Sequence, residues 1–191
     1  MKALEEKITR EGTVLSADIL KVGNFLNQQL DVPFLMEMGR EIARLYEGEG
    51  VTKILTIEAS GIGIACLTAQ FFHCPILFAK KTKSRNISSD LWVSTVHSYT
   101  HGTDHEVVVA RQYLTDKDKV LIIDDFLANG SAITALVELC ESAGAEVVGA
   151  AVAIEKAYQS GGAKLRAGGL RLEALARVAH MGDDGSIEFC D

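Results

Sequence analysis

The chain has 191 residues, of which 48% are hydrophobic and 24% charged, and its net charge at neutral pH is −7. Those totals exclude a disordered polar chain, which could not bury enough apolar surface to offset its ordering entropy. The acidic balance argues against a nucleic-acid coat, though not against a local basic patch that holds phosphates. The length suits one domain, or a core with a small flap. None of the four cysteines, Cys66, Cys74, Cys140 and Cys190, forms a CxxC pair. They read as thiols in a reducing compartment, with Cys66 and Cys140 in apolar stretches where cysteine behaves as a small hydrophobe. The charged start Met1 to Lys7 lacks a secretory apolar run, and no stretch approaches the roughly 20 apolar residues that span a bilayer. The expectation is a cytoplasmic protein without membrane or nucleic-acid partners.

In chain order, residues 2–10 read as a short helix and residues 32–47 as a better one. In the second, Leu35, Met38, Ile42 and Leu45 recur at helical spacing, Pro33 sits near the start and Gly48 follows the end. Lys53 to Ile57 reads as a strand, Glu58 to Gly63 as a turn, and the apolar stretch to about Phe72 as a helix. Pro75 to Ala79 is a second strand, followed by the basic stretch Lys80 to Asn86. Residues 91–99 and 106–112 read as a hairpin or flap around Gly102. Val120 to Ile123 is a third core strand, residues 131–143 a helix ending at Gly144, and Val147 to Ile154 a fourth strand. Short apolar strands alternating with helices imply an α/β protein with a mostly parallel sheet flanked by helices. Ligands of such sheets bind beyond the carboxyl ends of the strands, here just after Ile57, Ala79, Ile123 and Ile154.

The sharpest local signal runs from Val120 to Ala132. Four apolar residues end in Asp124 and Asp125, a short glycine-containing loop follows, and a helix begins. Adjacent carboxylates can accept hydrogen bonds from vicinal sugar hydroxyls or help hold a divalent cation. The backbone amides of residues 128–132 lie at the helix start, where the dipole favours a phosphate. The plain alternative is a strand-turn-helix with acids near the helix start for capping.

This segment resembles the signature of the type I phosphoribosyltransferases, and the order of elements is similar over nearly the whole chain. Within that family the chain is most similar to the bacterial xanthine-using branch, through Ser16 to Leu30, Glu58 to Ile62, Asp124 to Ala132, and Ile154-Glu155-Lys156. The resemblance implies a core over about residues 36–155 and a small hood from residues 1–35 with the C-terminal segment. It implies transfer of a phosphoribosyl group from phosphoribosyl pyrophosphate to xanthine, giving xanthosine 5′-monophosphate and pyrophosphate. It further implies that Mg²⁺ arrives with the diphosphate rather than in a site of the protein's own, and that the enzyme is a homodimer.

Residue by residue, the resemblance gives Asp124 and Asp125 the ribose hydroxyls, and Ala128, Asn129, Gly130, Ser131 and Ala132 the 5′-phosphate. The turn Ala59, Ser60 and Gly61 receives pyrophosphate. A dinucleotide fingerprint is excluded there, because its third glycine would stand where Cys66 does. Lys81 and Lys83, in the basic cluster, are the expected pyrophosphate contacts of a closing loop, where the alternative is a solvated charge run. Leu20, Asn27 and Lys156 match base-binding positions. An ammonium donates to a purine carbonyl but cannot accept from an exocyclic amine, so Lys156 favours oxopurines over adenine.

Two departures matter. Ala132 supplies no hydroxyl where many relatives carry threonine, and Ala128 stands where hypoxanthine-guanine enzymes carry an acid thought to act as a base. His97, His101 and His105 recur every four residues, yet they fall in a flap rather than on a helix and do not read as a metal site. Trp92, Tyr99 and Tyr113 read as core or interface residues. Three alternatives remain at this stage: another purine phosphoribosyltransferase acting on guanine or hypoxanthine, an orotate or pyrimidine enzyme, and an effector-binding regulator on the same fold.

Overall fold

The computed structural model describes residues 1–81, 90–98 and 103–190, with only the backbone given for residues 96–98 and 103–105. Helix α1 (Lys2–Glu11) leads into a small antiparallel hairpin, β1 (Thr13–Ser16) and β2 (Ile19–Lys21), and then a wide turn Gly23–Asn27. Helix α2 (Val32–Leu45) begins where the Asp31 side chain accepts from the Phe34 amide at 3.2 Å. Strand β3 (Lys53–Ile57), helix α3 (Gly61–Phe72) and strand β4 (Ile76–Ala79) follow, then a separate antiparallel hairpin, β5 (Leu91–Ser98) and β6 (Thr103–Ala110). The second half comprises β7 (Lys119–Leu127), α4 (Ser131–Ala143), β8 (Glu146–Lys156), α5 (Ser160–Ala167), β9 (Leu172–Met181) and β10 (Ile187–Phe189).

Six strands form the central sheet in the order β10-β9-β8-β7-β3-β4, parallel throughout except for the antiparallel edge strand β10. Alternation sorts its side chains to two cores. Ile54, Leu121, Ile123 and Ala151 face α1, α2 and α3, while Leu55, Ile122, Ala150 and Val152 face α4 and the β5–β6 hairpin. Both faces are covered, which is why the strands read as continuous apolar runs. Among the described residues no helix is long and apolar enough to cross a membrane.

The structure departs from the sequence expectations in four places. Helix α2 stops at Leu45 rather than at residue 47, because the buried Tyr46 turns onto the sheet and its hydroxyl donates to the Ala150 carbonyl at 2.7 Å. Strand β7 does not end at Ile123. It runs through both acids to Leu127, held by the pairs Phe126↔Ile154 and Leu127↔Glu155 with β8. The segment after Lys156, given no elements from the sequence, supplies α5, β9 and β10. Cys66 is exposed on the outer side of α3, where Ile64, Ala65, Thr68 and Ala69 take the buried face, whereas Cys140 is fully buried.

Candidate active site

The site is assembled at the carboxyl ends of β3, β7 and β8. Asp124 is 5% exposed, near the end of β7, while Asp125 is only half-buried. The Asp125 amide donates to Asp124 Oδ1 at 3.0 Å, which fixes the buried carboxyl against its own neighbour's backbone. Burial, then the charge of Asp125, push the Asp124 carboxyl well above the usual range, and the hydrogen bond from the Asp125 amide, then the Lys81 ammonium, partly offset this.

Past the strand end, Gly130 adopts φ +87°, a left-handed conformation that turns the chain into α4. Within this loop the Asn129 side-chain oxygen accepts from the Ser131 amide at 3.0 Å and from the Ser131 hydroxyl at 2.8 Å. It does for these two donors what a phosphate oxygen could do. The remaining first-turn amides of α4 point the positive end of the helix dipole at the same place.

The turn between β3 and α3 abuts the acids. A Cβ on Gly61 would stand 2.3 Å from Thr56 Oγ1 and 3.1 Å from Asp124 Oδ1, so only glycine fits. The peptide between Glu58 and Ala59 is cis. The Glu58 carboxylate accepts from the Lys81 amide at 2.8 Å and thereby ties the end of β3 to the residue following Lys80, which itself bridges to Val108 of β6. Lys83 lies outside the described residues, as do His101 and Tyr99. His97 and His105 sit on the two strands of the β5–β6 hairpin, opposite Asp104 and Val96 respectively. Tyr113 is exposed, while Trp92 is partly buried beneath the Arg111 guanidinium, 3.9 Å from its ring centroid.

The N-terminal segment reaches these strand ends through three hydrogen bonds. Asn27, at the end of the wide turn, donates from Nδ2 to Asp125 Oδ2 at 2.5 Å. Lys156, the last residue of β8, donates to the Asp18 carbonyl at 2.6 Å, and the Tyr158 hydroxyl donates to the Ala17 carbonyl at 3.0 Å. These two side chains hold the tip of the β1–β2 hairpin, whose second strand carries Leu20. Burial lowers the Lys156 ammonium below its usual value. A lysine has three donors, so holding Asp18 leaves two for a ligand.

Sequence reasoning gave no role to Thr56, Glu58, Glu155 or α5. Thr56 Oγ1 is the one buried side-chain polar atom without a hydrogen-bond partner among the described residues. Glu155 is 2% exposed and is held by Arg166 and Arg177. Burial alone would raise this carboxyl, but hydrogen bonds and charge from Arg166, then Arg177, hold it below the usual range. The adjacent pair Gly161-Gly162 was the available signal for a close backbone approach by α5.

Strand ends that gather paired acids, a glycine turn and an amide-lined helix start can hold a sugar phosphate with an anionic leaving group. The comparisons with known proteins agree with that chemistry. Xanthine phosphoribosyltransferases from Lachnoclostridium phytofermentans and Clostridioides difficile are 47% and 49% identical to the chain, each over 99% of it and over 98% and 100% of their own lengths. One from Bifidobacterium longum subsp. infantis is 50% identical over 99% of both chains. Among solved structures, adenine phosphoribosyltransferases share the fold. That from Giardia lamblia, complexed with 9-deazaadenine, has a TM-score of 0.75 at 21% identity, covering 90% of this chain and 96% of its own. That from Rhodothermus marinus has a TM-score of 0.74 at 20% identity, covering 93% and 99%. The model of the phosphoribosyl transferase domain matches residues 26–164, and the chain belongs to that family.

Proposed function

We propose that the chain is a xanthine phosphoribosyltransferase of purine salvage, converting xanthine and phosphoribosyl pyrophosphate to xanthosine 5′-monophosphate and pyrophosphate. The observation that carries this reading is the convergence of Asp124, Asp125 and the 128–132 loop on one side and Asn27 and Lys156 on the other, at adjoining strand ends. Relatives 43–50% identical over essentially the full chain bear the same name.

In this reading a purine ring nitrogen attacks the anomeric carbon as the bond to pyrophosphate breaks. The transition state is oxocarbenium-like, and such chemistry needs positioning and charge stabilisation more than a protein nucleophile. Asp125, with Asp124 behind it, receives the ribose hydroxyls. The 5′-phosphate takes the place of the Asn129 oxygen on the Ser131 donors. Ala59, Ser60, Gly61, Lys81 and Lys83 surround the leaving pyrophosphate. Leu20 packs on the base, Asn27 meets its mixed donor and acceptor edge, and Lys156 donates to a carbonyl oxygen. Xanthine is a comparatively acidic purine, and a neighbouring ammonium favours its anion, which removes the need for the general base that Ala128 cannot supply.

Hard carboxylate oxygens at Asp124 and Asp125 fit Mg²⁺ already carried by the diphosphate, since magnesium takes one or two carboxylates plus substrate phosphates and keeps waters. It would neutralise charge on the leaving group. The proposal extends to a cytoplasmic homodimer, as the family resemblance implies, which light scattering on the purified chain checks.

The deciding experiment measures pyrophosphate release from phosphoribosyl pyrophosphate with xanthine, guanine, hypoxanthine, adenine and orotate, with and without Mg²⁺. The expected result is fastest turnover with xanthine, dependent on Mg²⁺. Turnover with orotate but not xanthine would overturn the purine reading. Binding of phosphoribosyl pyrophosphate without release under any base would point instead to an effector-binding regulator.

A further inference from the structure

The phosphate-side loop is not held by its own residues alone. Helix α5 lies against it so closely that backbone meets backbone. A Cβ on Gly161 would stand 2.2 Å from the Ala128 carbonyl oxygen, 2.5 Å from the Asn129 carbonyl carbon and 2.7 Å from the Gly130 nitrogen. Seen from the loop, the Cβ position of Gly130 lies 3.3 Å from Leu165 Cδ1 and 3.4 Å from Gly161 Cα. The helix is locked in turn to the end of β8. Arg166 of α5 gives Glu155 two parallel bonds, Nη1 to Oε1 at 2.7 Å and Nη2 to Oε2 at 2.8 Å, and Arg177 of β9 adds Nε to Oε2 at 3.0 Å. Gly162 leaves no space between the helix and this pair, since its Cβ would fall 1.9 Å from Glu155 Oε1.

The arrangement costs something that packing alone does not require. Burying a carboxylate demands full pairing, and apolar residues of similar volume would serve a purely structural role as well. The planar two-point geometry of guanidinium and carboxylate does supply a fixed orientation. It fixes α5 against the one loop whose amides must match a phosphate to a few tenths of an ångström. Glu155 also pairs with Leu127, the residue before the loop, across the β7–β8 ladder, and directly precedes Lys156.

We propose that Glu155 and Arg166 are positioning residues for the ribose phosphate, acting through the Gly161 contact on residues 128–130. This inference rests on the phosphoribosyltransferase reading above. The pair touches neither the base nor the sugar. It sets the spacing of the loop amides, so its loss weakens phosphate binding before it slows the chemical step.

The test compares the full-length wild-type chain with Arg166→Ala, Arg166→Lys and Gly161→Ala by calorimetric titration with ribose 5-phosphate and by separate KM and kcat values. Thermal melting establishes that each variant is folded. Gly161→Ala leaves both charged side chains in place and tests the contact with the loop, while Arg166→Lys keeps the charge and reports on the pair where Arg166→Ala does not fold. Expected are ribose 5-phosphate binding and phosphoribosyl pyrophosphate KM weakened about 10- to 100-fold in Arg166→Ala and Gly161→Ala, with kcat changed far less. Arg166→Lys, which keeps the charge but not the fork, falls between them and wild type. Arg44→Ala, which removes an exposed pair with Glu41 on α2, leaves binding unchanged. Folded Arg166→Ala and Gly161→Ala variants that bind ribose 5-phosphate as wild type does would overturn the proposal while leaving the functional reading intact. A wild type that neither binds ribose 5-phosphate nor forms nucleotide would instead remove the functional reading, and the proposal with it.

Discussion

Asn27 and Asp125 stand 98 positions apart in the chain, and Asn27 Nδ2 donates to Asp125 Oδ2 at 2.5 Å. One hydrogen bond thus joins the N-terminal segment to the acid expected to receive the sugar. A hydrogen bond to a charged group contributes about 1.5–3 kcal/mol. Asn27→Ala is therefore expected to raise KM for both xanthine and phosphoribosyl pyrophosphate by about 10-fold or more, not for xanthine alone. Steady-state kinetics with each substrate varied in turn checks this.

Lys156 joins the hairpin tip to the end of β8 through the Asp18 carbonyl. Lys156→Met removes the ammonium while keeping much of the stem. The expected outcome is a fall of about 10- to 100-fold in kcat/KM for xanthine, with loss of preference for oxopurines over adenine in the base panel. Unchanged xanthine kinetics would take Lys156 out of the base pocket.

Asp124 is raised above the usual carboxylate range, first by burial and then by the charge of Asp125. Ribose hydroxyls donate best to an ionised carboxylate, so sugar-phosphate binding strengthens as pH rises through this raised value. The folding linkage has the opposite sign. An acid whose pKa is higher folded than unfolded binds more protons when folded, so its contribution to stability falls as pH rises from the usual range to the raised value. The pH profile of kcat/KM for phosphoribosyl pyrophosphate carries the check: its acid limb should move to lower pH in Asp125→Asn, which removes the second cause of the shift.

Much of the candidate site was legible because it lies on one short segment. Its adjacent acids, glycine and helix start all fall within Asp124 to Ala132, so they are read together from neighbouring positions. The central strands were legible because burial on both faces makes them continuous apolar runs. What the sequence hid depends on contacts between distant segments. Nothing in residues 16–30 announces that Asn27 reaches Asp125, and Glu155 reads as an ordinary acid until Arg166 and Arg177 are brought to it. Helix α5 is short and contains two glycines, so its local propensity is poor; packing against the 128–130 loop, not helical preference, places it.

Glu155 has the opposite shift to Asp124. Its carboxyl is pushed up by burial but more strongly lowered by Arg166 and Arg177. Its folded pKa lies below the unfolded one, so its contribution to stability is present above the usual carboxylate range and is lost as pH falls through the folded value. Glu155→Gln leaves two guanidiniums, each about a third exposed, facing a neutral group and is expected to cost about 1.5–3 kcal/mol at neutral pH. Denaturant unfolding at neutral and acid pH checks both points, since the difference from wild type should shrink on the acid side.

The most direct test of the paired acids and the amide loop is a titration of the isotope-labelled chain with ribose 5-phosphate, followed by amide nuclear magnetic resonance shifts. The expected result is a saturable change concentrated at Asp124, Asp125 and residues 129–132, abolished in Asp125→Ala. Shifts that leave this segment untouched, or that persist unchanged in Asp125→Ala, would contradict the assignment.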